Sequence, residues 1–182
     1  MTAPRLTRVE LWFHALAERA ETDARARALL VRVVDGFFQA IAVERRLGGH
    51  RLLDVARVAA RRWGRFRAHV LRDRLGLDGT DLEDLARVQD WEDRVFGVTG
   101  HWTEKSRARA VKCETDCPFA RTATRAPEIC TDVIHALEEA TFRELAPGYR
   151  LLPLRRLLSR GDDRCEFVHV LDATVSDAPA AR

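Results

Sequence analysis

The chain has 182 residues, 46% of them hydrophobic and 32% charged, which suits one compact domain with a normal core and excludes a disordered chain. All but two of its 31 basic residues are arginine, the exceptions being Lys105 and Lys112, and interspersed acids bring the net charge to only +3. That balance argues against a nucleic-acid surface built on Arg57, Arg61, Arg65, Arg67, Arg72 and Arg74, because phosphate binding needs a one-sided basic field. No basic-then-apolar leader is present, and no window approaches the roughly 18 apolar residues of a membrane span. A cytoplasmic protein with no nucleic-acid and no membrane partner is expected.

From Thr7 to Arg46 the apolar residues recur with helical spacing, as at Leu30, Val34, Phe37 and Ile41, with a break and a new cap near Glu21-Thr22-Asp23. Gly48-Gly49 closes that section. The next helix places Leu52, Val55, Ala59, Trp63, Phe66 and Val70 on one face, predicted to pack inward, and ends near Leu75-Gly76. Asp78-Gly79-Thr80-Asp81 is a turn and cap, with Asp84 in the place of the usual capping-box Glu, before a shorter helix to about Val95.

Character changes between Gly97 and Gly100. Arg107 to Cys113 reads as a strand. Pro127 opens a helix whose inward stripe is Ile129, Val133, Leu137 and Ala140, and Pro147-Gly148 stops it. Leu151 to Ser159 and Cys165 to Asp172 form a β-hairpin around Arg160-Gly161-Asp162-Asp163-Arg164. The expected fold is α+β: a single domain over 1–172, with a helical part at 7–96 packed on a small antiparallel sheet in a mixed part at 104–172. A frayed tail is expected at 173–182.

All four cysteines, Cys113, Cys117, Cys130 and Cys165, fall within about 50 residues of the C-terminal half, so the chemistry is expected there. In a reducing compartment such a cluster favours a metal site or a reactive thiol over disulfides. A metal set would draw on Cys117, Cys130 and Cys165, with His169 or Cys113 as fourth ligand. Zinc suits those donors, although no paired Cys-x-x-Cys spacing is present. As a nucleophile, Cys130 lies near a helix start, where the dipole lowers a thiol pKa. As a structural residue it is a small apolar core side chain. On the last strand Cys165, Phe167, His169 and Leu171 share a face.

Cys117-Pro118-Phe119, Pro127-Glu128-Ile129-Cys130-Thr131-Asp132 and Gly161-Asp162-Asp163-Arg164-Cys165-Glu166-Phe167 together resemble the L-2-amino-thiazoline-4-carboxylic acid hydrolase family. The closing Gly-Asp-x-x-Cys-x-Phe is also similar to the 4-vinyl reductase type of ligand-binding domain. The first resemblance implies water-driven opening of a small cyclic amidine-like ring. Cys130 is then the nucleophile or a metal ligand, Cys117 and Cys165 complete the thiol site, and Asp132 moves protons. Arg156 or Arg164 would hold a substrate carboxylate, with His169 nearby. The second resemblance implies a non-catalytic, sensor-like small-molecule-binding domain, with a cysteine-bound zinc in some relatives; here Leu154 and Leu157 stand where such relatives carry zinc ligands. For a binding module the candidate lining is Trp63, Phe66, Trp91 and Trp102, which otherwise read as core.

Overall fold

The computed structural model describes residues 7–172, so the expected fraying of 173–182 lies outside the described residues. Six helices and four strands follow in the order α1 (Arg8–Ala20), α2 (Ala24–Arg46), α3 (Arg51–Leu75), α4 (Leu82–Phe96), β1 (Thr99–Lys105), β2 (Arg109–Asp116), a short α5 (Ala120–Ala123), α6 (His135–Leu145), β3 (Tyr149–Leu151) and β4 (Cys165–Leu171). A π-helical turn, Ile129–Ile134, leads into α6, and a 3₁₀ turn, Leu158–Arg160, precedes β4. The fold is α+β.

Local chemistry sets the helix ends. Thr7 and Glu10 form a reciprocal capping box on α1, and the Asp23 carboxylate accepts from the amides of Arg25 and Ala26 to start α2. Gly76 and Gly97 close α3 and α4 in the left-handed conformation that glycine adopts without a Cβ penalty. Asp81 caps α4, while Asp84 turns back to accept from the amides of Asp78 and Gly79.

The sheet is antiparallel throughout, in the order β1-β2-β4-β3. Ala110, Lys112 and Glu114 of β2 lie opposite His169, Phe167 and Cys165 of β4, so these six side chains share the face turned toward the helices. Val111 and Cys113 point to the other face. α4 lies against the sheet, and α3 packs closely on α6 at Gly64, where a Cβ would come within 2.6 Å of the Leu137 carbonyl oxygen.

Four sequence expectations change. The buried stripe of α3 is Leu53, Ala56, Ala60, Gly64, Arg67 and Leu71, whereas Val55 is 62% exposed. Apolar residues dominate two adjacent faces of this helix, and the close approach of α6 selects the one with the smaller side chains. The helix after Pro127 is interrupted by the π turn, which advances the register by one residue, about 100°. Ile129 and Val133 remain buried, but beyond them Ala136, Phe142 and Leu145 take over, leaving Leu137 and Ala140 half-buried. Regular pairing before the hairpin loop covers only Tyr149 to Leu151, since Pro153 brings no amide to the ladder; single bonds at Leu152 and Arg156 continue it. β1, whose exposure alternates residue by residue, was not expected as a strand because polar residues occupy most of its length.

Candidate functional site

A cavity of about 570 Å³ runs from the outer helices to the inner face of the sheet. Val9 and Phe13 of α1, Val33 and Phe37 of α2, and Ala59 and Trp63 of α3 wall its outer part. Ile129, Val133, Leu157 and Phe167 wall its inner part. The size and the mainly apolar lining are those of small-molecule sites. Val9, Val33, Phe37 and Ala59 are both exposed and on the cavity wall, which places the mouth between α1, α2 and α3.

Cys117, Cys130 and Cys165 all reach the wall of this cavity, although the chain brings them from the turn before α5, the π turn and the start of β4. They are free thiols, close enough for charge on Cys130 to act on both Cys117 and Cys165, and charge on Cys165 to act on Cys117. Burial pushes the Cys117 and Cys165 thiols up to about 12, and burial also raises Cys130. The lowering expected from a helix start at Cys130 is therefore outweighed: the thiol lies in an apolar wall, and desolvation of a thiolate there exceeds the help from Ser159. The Leu158 amide donates to Cys165 Sγ at 3.4 Å.

Other candidate residues lie elsewhere. Cys113 is on the far face of the sheet, 3.9 Å from Thr103 Oγ1, so strand parity separates it from Cys165. His169 shares the inner face with Cys165 but lies four residues further along β4, away from the cavity wall and packed among Trp102, Phe142 and Tyr149. Its Nδ1 is 2.7 Å from the Tyr149 hydroxyl, and burial, helped by the Lys112 charge, pushes it down to about 3. Asp132 accepts from Thr131 Oγ1 and is not on the wall. Arg156 and Arg164 both pair with Asp163 outside the cavity. Among the described residues no three His, Cys, Asp or Glu side chains come together as a metal-holding group, and Cys113 and His169 lie off the wall that Cys117, Cys130 and Cys165 reach.

A polar cluster at the inner end was not read from the sequence. Arg67, 5% exposed, contacts Glu92 and bonds to Glu138 and Thr141 Oγ1 at 3.1 and 2.6 Å. Lys112, 1% exposed, bridges Asp90 and Asp93 at 2.9 and 2.7 Å. Both cations are thus paired. Glu114 is different: it lines the cavity, and among the described residues its carboxyl joins no ion pair or hydrogen bond. Burial, followed by the charges of Asp93 and Glu138, pushes it up to about 8. The available signal was the charged pair Lys112-x-Glu114, two residues apart on a strand and so on one face. Of the four candidate aromatics, Trp63 and Trp91 line the cavity and Phe66 and Trp102 do not.

Neither a protein-family model nor a curated protein sequence matches the chain. Among solved structures it is similar to a trafficking protein particle complex subunit 3 from Naegleria fowleri covalently bound to palmitic acid, at 10% identity and a TM-score of 0.60, covering 80% of this chain and 96% of that one. At that identity the likeness concerns the fold alone.

Proposed function

We propose that the chain is a non-catalytic binding domain for a small molecule with a long apolar body and a weakly acidic or neutral polar head, of which a fatty acid is the simplest example. The observation that carries this reading is the cavity of about 570 Å³, apolar along most of its wall, on which the Glu114 carboxyl has no partner among the described residues. Below about pH 8 that carboxyl keeps its proton and can donate to a carboxylate or share a proton with one. The thiols support holding over attack, because a buried thiol kept protonated is a poor nucleophile. The palmitic acid carried by the trafficking subunit of similar fold points to the same ligand class. The test is titration with a fluorescent fatty-acid probe and displacement by palmitate. Saturable binding that is lost in Ala59→Trp, a substitution at the exposed lip, is expected; absence of saturable binding in the wild-type chain overturns the reading.

A second reading, ring-opening hydrolysis of a 2-aminothiazoline carboxylate, is favoured by one observation: three thiols and a carboxyl pushed up to about 8 share one cavity wall. It requires turnover of that substrate by the wild-type chain and loss of turnover in Cys130→Ala. Equal turnover in both chains would remove Cys130 from the mechanism.

A further inference from the structure

Eleven large apolar side chains are exposed among the described residues, and ten of them lie on α1, α2 and its C-cap, or α3; Leu152 is the other. On α2 they form a continuous stripe. Leu29, Val33, Phe37, Ala40, Val43 and Leu47 follow one another at three- and four-residue steps, all outward. Val33 and Phe37 of this stripe are also at the cavity mouth, so the exposed apolar face and the entrance are one surface. Trp12, half-exposed on α1, belongs to the same layer of outer helices.

Arginine is in excess on these helices, although Arg19, Arg62 and Arg74 pair with the half-buried acids Asp23, Glu10, Glu18 and Glu21. Ten arginines but only two acids, Asp54 and Asp73, are exposed on α1, α2 and α3. On α2 every exposed charge is an arginine: Arg25, Arg32 and Arg46. The near-zero total hides a division, because residues 7–75 carry fifteen basic and eight acidic residues while 76–172 carry fourteen basic and nineteen acidic. A second copy of the chain is a poor occupant, since a two-fold interface sets this arginine-bearing face against itself. An anionic lipid surface complements both features: headgroups accept the arginines, and the interfacial layer takes the leucines, valines, Phe37 and Trp12.

We propose that the face formed by α1, α2 and α3 docks on anionic lipid bilayers, with the cavity mouth turned to the membrane. Among the described residues no helix is long and apolar enough to cross a membrane, but a helix that lies on a bilayer surface obeys a different rule. The inference extends the ligand reading and rests on it only for what the docked domain withdraws from the bilayer.

Flotation of the full chain with phosphatidylcholine vesicles, with and without phosphatidylserine, tests it. Association with the serine-containing vesicles alone is expected, falling steeply as ionic strength rises from about 0.01 to about 1 M and the Debye length shrinks from about 30 to about 3 Å. Each of Arg25→Gln, Arg32→Gln and Arg46→Gln should weaken partition roughly fivefold. The double variant Leu29→Ser/Val43→Ser, whose two sites are exposed and off the cavity wall, should no longer float while keeping its thermal transition and its affinity for the fatty-acid probe. No flotation with either vesicle, or equal and salt-insensitive flotation with both, overturns the proposal. So does light scattering that shows a stable dimer which the double variant dissociates, since the face is then an interface between copies. Vesicle binding without probe binding leaves this surface standing and removes only the ligand reading.

Discussion

The two ends of the cavity are built on opposite principles. At the mouth, α1, α2 and α3 present apolar side chains and an excess of arginines to the outside; at the inner end, β2, α3, α4 and α6 turn charged side chains toward one another and pair them. A charge at the mouth keeps its hydration, so its loss alters binding more than folding. A charge at the inner end is out of water, and its loss strands the partner. The difference teaches that stability and ligand recognition are separable here: Arg67 and Lys112 hold the floor together, and Glu114, beside them but unpaired, is the group free to respond to what enters.

The sharpest way to break this division is Arg67→Leu. It leaves Glu92 and Glu138 without their buried cation, and a loss of about 3–5 kcal/mol is expected in chemical denaturation. A loss no larger than that of an exposed arginine such as Arg61 would show that the inner cluster is not a structural unit. Next in size is Gly64→Ala. The added methyl meets the backbone of α6 at 2.6 Å and forces α3 and α6 apart, at a cost of about 1–3 kcal/mol visible as a lower melting temperature.

The smallest effect, and the one that isolates Glu114, is in pH. Its folded value of about 8 stands above the 4.5 of an ordinary glutamate, so the folded chain keeps a proton that the unfolded chain has released between those two values. The contribution of the protonated carboxyl is full below 4.5, falls as pH rises, and is lost once pH passes about 8. A ligand that covers Glu114 adds to its desolvation and favours the same protonated form. Affinity for the fatty-acid probe is therefore expected to fall above about pH 8, by at most about tenfold per pH unit, and Glu114→Gln should flatten that profile. An unchanged profile in the variant would assign the titration to another group.

Helix boundaries were legible because their causes are local: the Asp23 cap, the left-handed Gly76, the turn at Asp78-Gly79 and the stop at Pro147-Gly148 each act within a few residues. The shared face of Cys165, Phe167 and His169 was legible for the same reason, as the period of a strand is fixed by its backbone. The face of α3 was not. Two neighbouring stripes of that helix are apolar enough to be buried, and the choice depended on Gly64 admitting α6. The site was half legible. That the cysteines cluster in sequence was plain; that Cys165 meets the cavity wall while Cys113 turns away follows from the β2–β4 register, and the packing of the turn before α5 and of the π turn brings Cys117 and Cys130 there.

By itself the sequence determined the α+β class, the order of the helices, most of their ends and the stretch of chain that carries the thiols, because capping, glycine conformation and side-chain periodicity are short-range. Only the tertiary structure decided that a cavity exists, that its mouth opens among exposed apolar residues, and that Glu114, half-buried on its wall, has no partner among the described residues while Arg67 and Lys112 are paired. Those properties depend on the separation of groups distant in sequence, and on how much water remains between them, which local pattern does not specify.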